Sequence, residues 1–268
     1  MIKLIVTDLD GSLLNDKKEI SEDFWKVEEA LHKNGITFAV ASGRPLHNIA
    51  MEFDVIKDRT YFISDNGAYV VYQNEELLVK PLQKEMIDEF VAVSRNIQDV
   101  YPVLCGKQMA FLEDCDDELL KVATQYYQEY EIVKNLEDVA EPILKISMCD
   151  FGDPHTNSYP HFKKYENEYK VAVAGTRWLD LTGFDADKGN AVKLLQERLG
   201  VTYDETMVFG DYLNDLQLMQ AGKYSYAMKN AQPEIIEAAN FVTEFDNNAD
   251  GVVKTIKKYL TTIEDKNS

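Results

Sequence analysis

Short runs of β-branched and other apolar residues alternate with amphipathic stretches at both ends of this chain, and that alternation limits the folds open to it. "KLIVTD" (3–8), "ITFAVAS" (36–42) and "YFISDN" (61–66) read as buried strands. Between the first two lies "SEDFWKVEEALHKNG" (21–35), a predicted helix with Ser21 at the N-cap, acids in its first turn, apolar positions at Phe24, Val27 and Leu31, and Gly35 as a stop. Strand, helix, strand at this spacing predicts βαβ units and a parallel sheet. "GAYVVYQNEELLVKPL" (67–82) reads as a hairpin turning at "QNEE". The alternation resumes over "KGNAVKLLQERLGV" (188–201), "TMVFGD" (206–211), "NDLQLMQAG" (214–222), "YSYAM" (224–228), "PEIIEAAN" (233–240), "FVTEF" (241–245) and "GVVKTIKKYL" (251–260).

The middle of the chain reads differently. It mixes predicted helices, "KEMIDEFVAVSRN" (84–96) and "DELLKVATQYYQEY" (117–130), with predicted strands, "ILKISMCDF" (143–151), "YKVAVAG" (169–175) and "RWLDLTG" (177–183). The expected fold class is therefore α/β. A Rossmann-like parallel-sheet core is predicted from residues 1–81 and 188–268, with an α+β domain inserted at 82–187, a usual domain length.

Open parallel sheets bind ligands at the carboxyl ends of their strands. Unusual polar residues stand at four strand ends or helix starts here. The first strand ends at Asp8 and Asp10 within "TDLDGS", the second at "SGR" (Ser42–Arg44), "DKG" with Lys188 opens a helix, and "TMVFGD" ends at Asp211, followed by Asn214 and Asp215. Two carboxylates so close together would repel in a dry interior. Their repulsion makes sense if a divalent cation sits between Asp8 and Asp211, and Mg²⁺, with its preference for hard oxygen ligands and retained waters, needs few protein carboxylates.

Charge and composition bound the partners. With 47 acidic and 28 basic residues the net charge is −19, which disfavours a phosphodiester backbone as partner. No nucleic acid is expected, and a small anionic substrate must be met locally by a metal or a lysine. No stretch is apolar and long enough to span a membrane, and the first apolar run is broken at Asp8, too early for a secretory leader. The three cysteines, Cys105, Cys115 and Cys149, show no metal-site spacing and read as free thiols of a reducing compartment. The expected location is the cytoplasm.

Taken in order, "DLDGSLL", "ASGR", "DKGNA" and "GDYLNDLQLM" resemble the four motifs of the haloacid dehalogenase superfamily. The insert between the second and third resembles the α/β (type IIB) cap of its Cof-type phosphatases. "SDNGA" (64–68), "RWLDLTG" and "SYAMKNA…DNNADGVV" are similar to that branch, especially its sugar phosphatases. The resemblance covers the whole chain, and four ordered motifs are far more specific than one.

The resemblance implies a Mg²⁺-dependent phosphatase acting on small phosphorylated metabolites, sugar phosphates first. Asp8 would be the nucleophile and form an aspartyl-phosphate. Asp10 would protonate the leaving oxygen and then act as base for the hydrolytic water. Proximity would push one of the two pKa values up while the metal held the other down. The metal would be held by the Asp8 side chain, the Asp10 backbone carbonyl and Asp211. Ser42 and the backbone N–H groups of Leu9 and Gly43 would hold phosphate oxygens, and Lys188 would neutralise nucleophile and phosphate. Asn214 would bind the phosphate or the metal's water shell. Asp215 would orient Lys188 or a metal-bound water, unless it is a simple helix acid. Asp180, in "WLDLTG", is open between sugar-hydroxyl binding and a structural role, and "QYYQEY" (125–130) is expected to be a helix packing face. Asp10 argues against a dehalogenase. A sugar phosphomutase and a non-catalytic metabolite sensor are the alternatives on the same scaffold.

Overall fold

The computed structural model describes residues 1–113, 117–174 and 176–267; Cys115 lies outside the described residues. The chain divides into two compact units, one formed by Met1–Arg44, Ile49–Leu78 and Asp187–Ser268, the other by Pro45–Asn48 and Val79–Ala186.

The first unit opens with strands β1 (Leu4–Thr7), β2 (Thr37–Ala41), β3 (Thr60–Ser64), β4 (Tyr69–Tyr72) and β5 (Glu75–Val79). The inserted stretch supplies β6 (Val100–Gly106), β7 (Ala110–Glu113), β8 (Tyr130–Val133), β9 (Ile143–Asp150), β10 (Tyr169–Ala174) and β11 (Trp178–Gly183). The chain then returns with β12 (Thr206–Gly210), β13 (Tyr224–Ala227) and β14 (Phe241–Val242).

In the first unit the strand order is β14-β13-β12-β1-β2-β3-β4-β5, parallel from β14 to β3. β1 and β2 are buried from end to end except at Thr37, as strands covered on both faces must be. β1 lies between β12 and β2, with Thr7 level with Phe209 on one side and Val40 on the other. The residues that follow these three strands, Asp8, Asp211 and Ser42, are thereby delivered to one edge of the sheet, where the strand order reverses. β4 runs antiparallel to β3, and the hairpin to β5 turns on Gln73 and Asn74, both at positive φ (49° and 65°), the backbone of a two-residue type I′ loop.

Helix Glu22–Lys33 buries Phe24, Val27 and Leu31, the spacing read from the sequence. Ser21 stands at its N-cap, but its hydroxyl makes no capping bond and has no partner among the described residues. Helix Lys188–Leu199 is capped at its start by Asp187, whose carboxylate accepts from the Asn190 N–H, and ends on Gly200 at φ 64°.

The second unit is a six-stranded sheet in the order β10-β11-β9-β6-β7-β8, antiparallel except for β7 with β8. One face packs Leu104, Ile146, Met148, Leu179 and Leu181 against Ile87, Phe90 and Val91 of helix Lys84–Ser94. The other carries Val103, Cys105, Leu112, Cys149 and Trp178 against Leu119, Ala123 and Tyr127. Two expectations are corrected here. Helix Asp117–Ala123 stops before "QYYQEY", and Tyr130 opens strand β8 instead; "YEIV" carries β-branched residues and pairs alongside β7. β6 and β7 also go beyond the elements read from the sequence. Pro102 sits inside β6, where a proline argues against a strand, but it stands outside the stretch Val103–Cys105 that pairs with β7.

Phe90 is fully buried at the centre of an aromatic cluster, 4.9 Å from Tyr165, 5.3 Å from Tyr169 and 6.0 Å from Phe162 between ring centroids. Phe90→Ala should destabilise the protein by about 3–5 kcal/mol, read as a lower urea midpoint for the unfolding of the inserted unit. A change under about 1 kcal/mol would show that this cluster does not hold the unit together.

Candidate active site

At the end of β1 the chain turns sharply. Leu13 N–H donates to the Asp8 carbonyl and Leu14 N–H to the Leu9 carbonyl, and Gly11 adopts φ 81°. A Cβ on Gly11 would stand 2.3 Å from Asp211 Oδ2, so only glycine allows this approach. Ser12 Oγ donates to Asp211 Oδ1 (3.1 Å), and Asn230 Nδ2 donates to the Gly11 carbonyl (2.8 Å). The loop after β1 is thus tied to the loop after β12 and to the loop after β13.

Lys188 is fully buried and lies between two carboxylates. Its Nζ donates to Asp8 Oδ1 at 2.5 Å and to Asp215 Oδ1 at 2.7 Å. The second Asp215 oxygen accepts from the backbone N–H groups of Asp211 (3.0 Å) and Tyr212 (3.2 Å). Asp215 therefore holds both the lysine and the loop that carries Asp211.

Asp8, Asp211 and Asp215 each offer a carboxylate oxygen, and the three lie within 4.8 Å of one another. Burial, with the charges of Asp215 and Asp211, pushes Asp8 well above the usual carboxylate range against the pull of Lys188. Burial and the Asp215 charge push Asp211 up to about 6. Lys188 is held above the ordinary lysine value: burial opposes its charge, but Asp215 and Asp8 outweigh it. Three carboxylates against one ammonium leave an excess of negative charge among hard oxygen donors, which suits a divalent cation.

Asp10 departs from the sequence expectation. It does not share its electrostatics with Asp8. Arg44 grips it with two parallel bonds, Nε to Oδ2 and Nη2 to Oδ1, both 2.7 Å, and Lys18 Nζ adds a third at 2.5 Å. Partial burial pulls its pKa up, but the hydrogen bonds and charges of Arg44 and Lys18 prevail and hold it below the usual range. Arg44 also donates to Glu52 (2.6 Å). Arg44 was visible as the last residue of "SGR"; nothing in the sequence marked Lys18.

Ser42 is buried after β2, and its Oγ accepts from the Arg44 N–H (3.1 Å), which leaves its own proton to donate. The N–H groups of Leu9 and Gly43 have no hydrogen-bond partner among the described residues. Asn214 is exposed, and its Nδ2 donates to Asn66 Oδ1 (2.8 Å). Asp180 stands on β11 in the second unit and accepts from Ser147 Oγ (2.7 Å) and Lys145 Nζ (3.2 Å).

A parallel α/β sheet whose carboxyl edge gathers a lysine-paired aspartate, an acid cluster and N–H donors without partners among the described residues suits an enzyme that acts on an anionic group. The chain belongs to the haloacid dehalogenase-like hydrolase family, whose model matches residues 5–256. It is 30% identical over 264 residues to 5-amino-6-(5-phospho-D-ribitylamino)uracil phosphatase YbjI of Escherichia coli (strain K12), across 97% of this chain and 96% of that one. SMU.1108c of Streptococcus mutans UA159 shares its structure with a TM-score of 0.87 at 26% identity, over 97% of this chain and 100% of that chain. The HAD subclass IIB sugar phosphatase BT4131 shares the fold, with a TM-score of 0.80 at 19% identity over 96% and 98% of the two chains. The chain is a phosphatase of this family. Among its described residues no helix is long and apolar enough to cross a membrane.

The raised pKa of Asp211 has a consequence for stability. A carboxyl whose folded value lies above its unfolded value favours the fold at low pH, and loses that contribution as pH rises from the ordinary range through about 6. Asp211→Asn removes the penalty. Without divalent ions, the variant should melt at a higher temperature than wild type near neutral pH, and the difference should shrink toward about pH 4. Thermal unfolding in EDTA across this range checks it; a variant less stable at neutral pH would refute the electrostatic reading.

Proposed function

We propose that the protein hydrolyses small phosphomonoesters of sugars or sugar alcohols, with Mg²⁺, through an aspartyl-phosphate on Asp8. The observation that carries the reading is the Asp8 carboxylate held 2.5 Å from the buried Lys188 ammonium, in the turn that also presents the Leu9 N–H, which has no partner among the described residues. The E. coli relative's name places its phosphate on a ribityl chain, a sugar alcohol, which supports this substrate class.

The chemistry follows from the residues. The Asp8 oxygen attacks phosphorus, the ester P–O bond breaks, and the leaving oxygen takes a proton from Asp10. Ser42 and the N–H groups of Leu9 and Gly43 receive the phosphate oxygens, and Lys188 offsets their charge. A water then attacks phosphorus, Asp10 takes its proton, and the bond from phosphorus to Asp8 breaks, which releases phosphate and restores both carboxyl groups. As it stands, ionised between Arg44 and Lys18, Asp10 suits the base half of the cycle. The acid half requires these contacts to loosen when substrate arrives. Mg²⁺, held by Asp8, Asp211 and the Asp10 carbonyl, would neutralise charge on the transferring phosphoryl group. Asp215 keeps Lys188 and the Asp211 loop in place.

Phosphate release from sugar phosphates, sugar-alcohol phosphates and the ribityl phosphate of the E. coli relative, with Mg²⁺ and with EDTA, tests the proposal. Release should need Mg²⁺ and should fall by at least about a thousandfold in Asp8→Asn. An Asp8→Asn enzyme that keeps its activity would overturn the covalent route. Isomerised sugar phosphate without free phosphate would point to a mutase.

A further inference from the structure

The turn after β3, Asp65–Gly67, takes no part in the chemistry above, yet it is the most strained backbone near the site. Its three residues have φ of 50°, 56° and 97° in succession. Left-handed backbone is unfavourable for residues with a Cβ, and asparagine and aspartate tolerate it best. Such strain persists where the surroundings enforce it.

Here the surroundings are the other loops of the site. The Asp65 N–H donates to the Arg44 carbonyl (3.1 Å) and the Asn66 N–H to the Ser42 carbonyl (3.0 Å), so the turn brackets Gly43 from both sides. The Asn66 carboxamide lies against Gly43, where an added Cβ would come within 2.9 Å of its Oδ1. That same Oδ1 accepts from Asn214 Nδ2 at 2.8 Å. A Cβ on Gly67 would stand 2.3 Å from the Asp187 carbonyl and 3.0 Å from the Lys188 nitrogen, at the start of the helix that carries the lysine. One three-residue turn therefore touches the Ser42–Gly43 loop, Asn214 and the first turn of the Lys188 helix.

We infer that Asn66 is a positioning residue for phosphate binding: its side chain holds the Asn214 carboxamide and the Gly43 backbone in one fixed relation, so that both meet the same phosphate group. The inference rests on the phosphatase reading above and extends it to a residue outside the four motifs. A turn that merely closed the β3–β4 connection would not need a side chain shared between Gly43 and Asn214.

Two variants separate the side chain from the backbone. Asn66→Gly keeps the left-handed turn, which glycine adopts freely, and removes the carboxamide. Asn66→Asp keeps an oxygen for Asn214 but sets a negative charge beside the phosphate loop. The readouts are KM and kcat for p-nitrophenyl phosphate with Mg²⁺, inhibition by inorganic phosphate, and the melting temperature. Asn66→Gly should raise KM and the inhibition constant of phosphate by about tenfold or more, with little change in melting temperature. Asn66→Asp should raise both further. Asn66→Gly combined with Asn214→Ala should cost less than the sum of the two single effects in free energy, because the carboxamide acts in part through Asn214 and in part through Gly43.

Wild-type KM and phosphate inhibition in Asn66→Gly would overturn the inference. So would a loss of melting temperature alone, or additive effects in the double variant. If Asn66→Gly does not fold, Asn66→Ala, which removes the carboxamide without adding charge, decides by the same constants. Failure of the phosphatase reading is separate: it would appear as a wild-type enzyme that releases no phosphate, or as an unimpaired Asp8→Asn enzyme.

Discussion

The buried ammonium of Lys188 is the interaction on which the rest of the site depends. A cation at the first position of a helix opposes the helix dipole, and a fully buried ammonium without partners would cost several kcal/mol. Lys188 is tolerated there because Asp8 and Asp215 both accept from it. Each partner commits a further element. Asp8 ends β1, and Asp215 spends its second oxygen on the N–H groups of Asp211 and Tyr212. One lysine thus fixes the end of β1, the start of its own helix and the acidic loop after β12. A pair of apolar side chains would fill this space at less electrostatic cost, which argues that the ion cluster serves chemistry rather than stability.

Much of this was legible in the sequence because strand ends in a parallel sheet are places where buried polar residues need a reason. Asp8, Ser42 and Asp211 stand at such places, Lys188 opens a helix and Asp215 lies in the turn after Asp211, and the structure brings the five to one edge of the sheet. The electrostatics of Asp10 were not legible. Spacing alone suggested a pair of repelling carboxylates, but side-chain direction depends on the turn at Gly11, and Lys18 approaches from a loop with no motif. The inserted unit was read least well. Its helix Asp117–Ala123 and strand β8 meet inside a polar, tyrosine-rich run with no clear period, and Pro102 disguises β6. The left-handed turn at Asn66 shows in the sequence only as "DNG". Those letters announce a turn without saying which loops it will bind.

The acid excess of the whole chain bears on how such a site takes an anion. At −19 the protein repels a phosphate ester at long range. In physiological salt, however, charges more than about 8 Å away are largely screened, so the encounter is slowed rather than forbidden. What decides binding is the local set. Lys188 is already shared between two carboxylates, and Asp10 and Glu52 occupy Arg44. The protein's own cations therefore offer the phosphate little uncompensated charge, and on the proposed reading the neutral donors, Ser42 and the N–H groups of Leu9 and Gly43, would supply direction more than attraction. The same carboxylates that leave the site short of positive charge are the hard oxygen donors that a divalent ion seeks. On the proposed reading, an acidic chain that must hold a phosphate would meet both needs with one arrangement, because the negative charge that would repel the substrate is the charge that would recruit its counter-ion.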